Sequence, residues 1–305
     1  MTGSLQGFED VPAVKRRLLE EICAALKTVA NIEAIALGGS HARGTQRPDS
    51  DLDIGLYYHE ASPFDIADIA RVARAFASGA DPTVTGFYEW GPFVNGGAWI
   101  ENATCKIDFL YRNLDQLTRE IREAQNGNWS HSFDQQPPFG FRSVTVLGEI
   151  QCCRSLADPN GALVALKAEV AVFPRPLRRR IIQDTLWCAE FSILFAGDFA
   201  SSGDVPNTVG CMTRIFHYLV QALFAINEVY FMNDKRVLQQ IAGFGRRPED
   251  FVSRISGVLA RAGATPAQLD VSLRKLQLVF LEIVALAEGA YAPRFSPPKR
   301  TQGRP

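Results

Sequence analysis

A chain of 305 residues is long enough for two domains of ordinary size, each able to bury its own core. Hydrophobic residues make up 47% and charged residues 21%, which excludes a disordered composition, and a formal net charge of −1 weighs against a protein whose main task is gripping long nucleic acid, since phosphate neutralisation calls for a basic excess. The six cysteines (Cys23, Cys105, Cys152, Cys153, Cys188, Cys211) form no C-x-x-C pair and no zinc-spaced cluster with histidine. The opening residues Met1 to Leu5 carry no signal-peptide pattern, and no apolar run reaches the roughly 18 residues of a membrane span. These features lead to the expectation of a reduced, cytoplasmic protein.

In chain order, the apolar spacing Val14, Leu18, Ile22, Ala25, Leu26, Val29 predicts an amphipathic helix over about 12–30. Asn31 breaks it. A short buried strand is expected over Ile32–Leu37, ending in the turn Gly38-Gly39-Ser40, and a second strand over Leu52–Tyr58. A helix from Asp65 to Ala77 is stopped by Gly79 and Asp81-Pro82. Strand-like segments follow at Thr83–Trp90, Ala98–Asn102 and Lys106–Tyr111, then a helix over Leu114–Gln125. From Pro159 the texture changes to long helical patterns, roughly 161–172, 175–197, 206–232, 249–261 and 266–290, punctuated by Pro174, Gly203, Gly245 and Pro266. Mixed strands and helices followed by helices alone predict an α+β domain over residues 1–150 and an all-α domain over 151–292. A disordered tail is expected over 293–305, where Pro297-Pro298 and scattered basic residues stand. There is no internal repeat.

The informative segment runs from Leu37 to Leu56. In a strand, alternate side chains share a face, so Asp51 and Asp53 point one way while Leu52, Ile54 and Leu56 point into the core. Two carboxylates about 7 Å apart on a rigid face repel each other unless a cation sits between them. Such oxygen ligands suit magnesium, which takes one or two carboxylates plus substrate phosphates. Upstream, the backbone N–H groups of Gly39-Ser40 and the Ser40 hydroxyl can cradle the outer phosphates of a nucleoside triphosphate, and Gly39 allows close approach. In Cys105–Tyr111, residues Ile107, Phe109 and Tyr111 share one face while Asp108 lies on the other with Lys106. If that strand lies beside the Asp51/Asp53 strand, Asp108 completes an acidic triad able to hold two metal ions for an in-line displacement.

These residues resemble the signature of the DNA polymerase β-like nucleotidyltransferases, in which a strand ends in Gly-Ser and a later strand carries Asp-x-Asp. The similarity is nearest to the minimal members: Gly39, Ser40, Ala42, Arg43, Gly44, Ser50, Asp51 and Asp53 match their pattern, with one residue more before Pro48. The resemblance covers about residues 30–112 and implies a catalytic domain with a mixed sheet flanked by helices. It implies Asp51, Asp53 and Asp108 as metal ligands, with Asp108 helping to activate the acceptor hydroxyl. Gly39, Ser40, Arg43 and Ser50 would face the nucleotide. The helical half is similar in outline to that of the aminoglycoside and lincosamide nucleotidyltransferases, where it helps form the acceptor site. The expected reaction moves AMP from ATP, with Mg2+, to a hydroxyl of a small acceptor and releases pyrophosphate.

Competing readings are weaker. Asp49, Asp51, Asp53 and Glu60 fall at calcium-loop positions 1, 3, 5 and 12, but Ile54 stands where that loop needs glycine. Protein adenylylation, as in toxin–antitoxin pairs, is an alternative acceptor chemistry; the Arg-x4-His motif of the toxin partners is absent, Arg214 and His217 being too close. A silent nucleotide-binding module, or extension of nucleic-acid ends, would use the same fold. His41 is expected to face solvent from its loop. His59, His131 and His217 read as structural. Lys106 serves either phosphate contact or a solvated strand edge, and Arg178-Arg179-Arg180 reads most simply as a solvated face, with anion binding as the alternative. Glu190, flanked by Leu186, Trp187, Phe191 and Leu194, is either an acceptor-side base or half of a buried ion pair with one of those arginines. Asn227 and the aromatic stretch Phe216–Phe231 read as helix core.

Overall fold

Hydrophobic periodicity first becomes helix over Ala13–Leu26 (α1) in the computed structural model, which describes residues 7–134 and 136–295. Leu18, Leu19, Ile22, Cys23 and Leu26 bury one face. Val14, expected in that stripe, is 67% exposed, and Lys15 takes the buried place at 5% exposure, one turn before Leu18 and Leu19. Asn31, in the left-handed region at φ 66°, turns the chain into Ala34–Leu37 (β1), where all four residues are buried. A single turn, Gly39–Ala42 (α2), leads by a loop to Leu52–Tyr58 (β2). Asp65 caps Ile66–Phe76 (α3), its carboxylate accepting from the Ala67 N–H at 2.8 Å. Thr83–Val84 (β3), Gly97–Glu101 (β4), Lys106–Asn113 (β5) and Leu114–Gln125 (α4) follow. The strand expected to reach Trp90 stops at Val84, because Gly86, Tyr88 at φ 58° and Gly91 at φ 98° fold residues 86–96 into turns. His131–Ser132 (β6) and Phe141–Arg142 (β7) form a short antiparallel ladder, and the chain continues through Val144–Cys152 (α5), Arg154–Ala157 (β8) and Ala162–Val170 (α6).

The main sheet has the order β3-β4-β5-β2-β1-β8. Its central pair, β2 and β5, is parallel; the other neighbours are antiparallel, so the sheet is mixed. Leu52, Ile54 and Leu56 face Ile107, Phe109 and Tyr111 in register, and all six are fully buried beneath α1 and α3. Tyr58, Phe64, Phe87 and Tyr111 close this core with ring centroids about 5 Å apart.

The chain divides into two compact units that do not follow a cut at residue 150: residues 1–123 with 143–172, and 124–142 with 173–305. The reason is pairing. β8 is the edge strand beside β1, so the segment after 142 returns to the sheet, while the β6–β7 ladder belongs with the helices. Neither α5 nor β8 was legible as an element, since both are short and lie in a stretch without clear periodicity.

The second unit is helical. Arg175–Ser201 (α7), Val205–Ile226 (α8), Val237–Ala242 (α9), Phe251–Ala260 (α10) and Pro266–Leu286 (α11) make it up. α9 was not anticipated. α8 ends six residues before the predicted 232, because the Asn227 amide turns back to the Leu223 carbonyl at 2.8 Å and exchanges hydrogen bonds with the backbone of Arg246. The reading that no apolar run reaches membrane-span length needs correction: α8 has the length and a mean hydropathy of 1.4 over its best window. Two-thirds of that window (67%) is buried, as in a core helix. Phe216, Phe224 and Phe231 are buried in this core, with Phe139 against Phe216 and His217. The tail expected over 293–305 lies outside the described residues apart from Pro293, Arg294 and Phe295.

Glu190 is 5% exposed on α7. Its hydrogen bonds come from no arginine side chain. The carboxylate accepts from the Tyr291 hydroxyl and from the backbone N–H groups of Arg294 (2.9 Å) and Phe295 (2.7 Å), and so holds the segment after α11. Arg178, partly buried, lies 3.5 Å from Glu228 and 3.6 Å from Glu288 instead.

Two outcomes follow. Glu190→Ala strands a buried hydroxyl and two backbone donors, so urea unfolding should report a loss of about 2–4 kcal/mol, with faster proteolysis after Tyr291; an unchanged midpoint would contradict this anchoring role. Burial, aided by Arg142, pushes the His217 imidazole down to about 4 from its ordinary 6.5. The unfolded chain therefore takes up this proton first as the pH falls, and stability should be lost on acidification from about 6.5 to about 4. His217→Phe, which keeps a ring against Phe139, should flatten that acid limb in melts recorded across the window.

Candidate active site

β1 delivers Gly38 and Gly39 to the edge of β2. The Gly38 N–H donates to the Asp53 carbonyl at 2.8 Å, extending the β1–β2 pairing by one residue. Gly39 then takes φ +58°, and a Cβ built on it would stand 1.7 Å from Asp53 Oδ2 and 2.5 Å from Cγ. No side chain fits there. The Asp53 carboxylate thus rests directly against the Gly39 backbone, a double requirement that glycine alone meets. Ser40, half-buried, follows in α2, and Arg43 closes that turn with Nε donating to the Gly39 carbonyl at 3.2 Å.

Parallel pairing brings the third carboxylate alongside. Asp53 and Asp108 are register partners on β2 and β5, both half-buried, with Asp51 just before β2. Among the described residues no three His, Cys, Asp or Glu side chains are drawn together as a metal cluster. The residues that would hold a magnesium ion are these three: Asp53 and Asp108 carry hard carboxylate oxygens at register-paired positions of adjacent strands, with Asp51 just before β2 and the Gly39 backbone beside Asp53. The calcium-loop alternative fails, because Asp49 is exposed 3.9 Å from Arg47 and Ile54 is buried in β2.

The loop between α2 and β2 is held from beneath. Lys15 Nζ donates to the Pro48 carbonyl at 2.9 Å and to the Ser50 carbonyl. The Ser50 hydroxyl accepts from the Arg47 N–H at 2.8 Å, so this side chain braces the loop. His41 was expected in solvent but is 1% exposed, and neither ring nitrogen has a hydrogen-bond partner. Burial and the nearby Lys15 ammonium hold its pKa below the ordinary value, against a weaker opposing pull from the Ser50 backbone. It is therefore a neutral spacer under the motif. The correction has a simple cause: α2 is a helical turn, and its third residue faces inward.

Lys106 is exposed and lies 3.1 Å from its register partner Glu101. That carboxylate raises its pKa, with smaller contributions from Asp51 and Asp108. Arg112, four residues beyond Asp108 on the same strand face, forms a part-buried ion pair with Glu149 of α5 at 2.8 Å and donates to the Tyr111 carbonyl. Burial works against its charge, yet Glu149 and neighbouring groups, Asp53 among them, keep its pKa above the ordinary value. Lys15, Arg112 and Glu149 were missed in the sequence. Lys15 could have been found as a charge on the apolar stripe of α1, and Arg112 by its two-residue period with Asp108. Glu149 carried no such signal. Glu190 belongs to the helical unit, where its hydrogen bonds go to the chain after α11.

Residues 15–90 match the family model described as a nucleotidyltransferase domain. The match spans Lys15, the Gly39-Ser40 turn, Asp51 and Asp53, and ends before β5. No curated protein matches the chain significantly. Among solved structures the chain is similar to a nucleotidyltransferase-like protein from Exiguobacterium sibiricum 255-15, at 11% identity and a TM-score of 0.46, over 90% of this chain and 76% of that one.

The Gly39 contact gives a direct test of the site. Gly39→Ala must move Asp53 or break the turn, at a cost of roughly 1–2 kcal/mol for the left-handed backbone before any clash. Nucleotide binding measured by calorimetry should be lost while circular dichroism stays native. Gly44→Ala also stands at positive φ, but its Cβ would meet nothing within 4 Å, so binding should persist.

Proposed function

We propose that the nucleotidyltransferase domain of this chain transfers a nucleoside monophosphate, AMP from ATP, to a hydroxyl of a small-molecule acceptor and releases pyrophosphate. The observation that carries the reading is the register pairing of Asp53 with Asp108 on parallel strands, beside the Gly39 backbone that Asp53 overlies. The match of residues 15–90 supports nucleotidyl transfer in general terms. The choice of ATP and of a small acceptor rests on the resemblance of the motif and on the near-neutral net charge.

In this reading the outer phosphates lie on the Gly39-Ser40 backbone, where no Cβ intervenes, and Ser40 donates its hydroxyl to them. Asp51, Asp53 and Asp108 would hold magnesium, which would supply positive charge where negative charge builds on the phosphate oxygens. Asp108 takes the proton of the acceptor hydroxyl as its oxygen bonds to the α-phosphorus. The bond from that phosphorus to the bridging oxygen breaks, and pyrophosphate carries away the electron pair. Arg43, tied to the Gly39 carbonyl, and Ser50, tied to Arg47, act by keeping the turn and its loop in shape.

Titration of ATP into the protein with magnesium, beside an Asp51→Asn/Asp53→Asn variant, tests the proposal. The expected result is magnesium-dependent binding by the native chain and its loss in the variant. Failure of ATP, GTP, CTP and UTP alike to bind with magnesium would overturn it. Asp108→Asn should bind ATP but lose about 10²–10⁴-fold in transfer once an acceptor is in hand.

A further inference from the structure

The helical unit carries a concentration of positive charge that the nucleotide site does not use. Two cavities of about 500 Å³ each lie along the first half of α7 and share Arg180 and Gln183 in their walls. One is lined also by Arg175 and Arg179, the other by Asp184 and Arg294. Four arginines thus face one carboxylate. That carboxylate is already engaged: Asp184 lies 2.7 Å from Arg180 Nε and accepts from the Trp129 indole N–H at 3.0 Å. Arg175 and Arg179 have no acidic partner among the described residues, in contrast to Arg178, which points to Glu228 and Glu288. In a chain of net charge −1 the clustering is local and not a product of composition.

A second observation concerns Arg142, which meets the Trp129 ring whose indole N–H donates to Asp184 of the cavity wall. Arg142 is 1% exposed, its guanidinium 5.4 Å from the centre of the Trp129 ring, and its Nε and Nη1 have no hydrogen-bond partner. Burial pushes its pKa down to about 10, which leaves it charged at neutral pH. A cation buried without a carboxylate raises the local potential far more than one in water, where salt screens it. Positions 175 and 179 are also one helical turn apart, about 6 Å along α7, so their guanidinium groups can hold two anionic groups in sequence. The first-turn N–H groups of α7 add to the same potential.

We propose that this groove is a binding site for small molecules carrying two or more phosphate groups, with Arg175, Arg179 and Arg180 as the phosphate-contacting residues. The site is separate in residues and chemistry from the Asp51/Asp53/Asp108 cluster and needs no metal. It goes beyond the proposed transfer reaction.

The test is calorimetric titration in EDTA, with sodium tripolyphosphate and fructose 1,6-bisphosphate as separate probes. The Asp51→Asn/Asp53→Asn chain is used, so that the nucleotide site contributes nothing. Saturable binding of either probe is expected, weakened roughly tenfold or more by Arg175→Ala/Arg179→Ala. Arg175→Lys/Arg179→Lys should keep most of it, and Arg261→Ala, at an exposed position just after α10, should leave it unchanged. Binding of tripolyphosphate alone would mean contiguous phosphates are recognised; binding of the bisphosphate would mean phosphates spaced on an organic frame. Absence of saturable binding by both probes overturns the proposal, as does equal affinity with and without Arg175 and Arg179, or an equal loss in Arg261→Ala. Because no metal and no turnover enter the measurement, its failure leaves the transfer reaction untouched.

Discussion

The contact between the Asp53 carboxylate and the backbone of Gly39 constrains everything around it. A side chain at residue 39 would occupy the space of the carboxylate, and the backbone there already stands in the left-handed region that glycine tolerates. With Gly39 open, β1 can end against β2, the Gly38 N–H can reach the Asp53 carbonyl, and α2 can start at once. The same geometry leaves bare backbone beside a carboxylate. That arrangement is what the proposed placement of a phosphate and its counter-ion rests on.

Placement of the second strand depends on the hydrophobic effect. Three alternating apolar residues of β2 meet three of β5 in register, and burying them fixes which residues look the other way. A slip by one residue would send Asp53 and Asp108 into the core. The polar face is therefore as well determined as the core. The loop before β2 is secured by other means: Lys15 caps two of its carbonyls from below, and the neutral His41 fills the space beside it. Both groups spend burial energy on positioning a short loop whose own residues are polar.

The helical unit uses buried charge in two ways. Glu190 is satisfied by three donors, two of them backbone, and so acts as a clamp. Arg142 is satisfied only in part: Nη2 donates to the Phe139 carbonyl at 3.3 Å, while Nε and Nη1 have no partner and the guanidinium rests over the Trp129 ring.

Local pattern determined much of this protein. The two-residue period of Leu52–Leu56 and of Ile107–Tyr111, the Gly39-Ser40 turn and the stop signals around α3 and α4 were legible because each rests on neighbours within a few residues. So was the division into an α+β part and a helical part. The tertiary structure alone decided what depends on residues far apart in sequence. The return of residues 143–172 to the sheet edge is such a case, since β8 has no strand signal until β1 offers its free side. The burial of His41 and Lys15 is another, because both are polar and only packing of α1 beneath the loop takes them out of water. The partners of Glu190 lie about a hundred residues away, and no spacing rule points to them. Periodicity records which face of an element is apolar; which distant group meets that face is settled when the chain has collapsed around it.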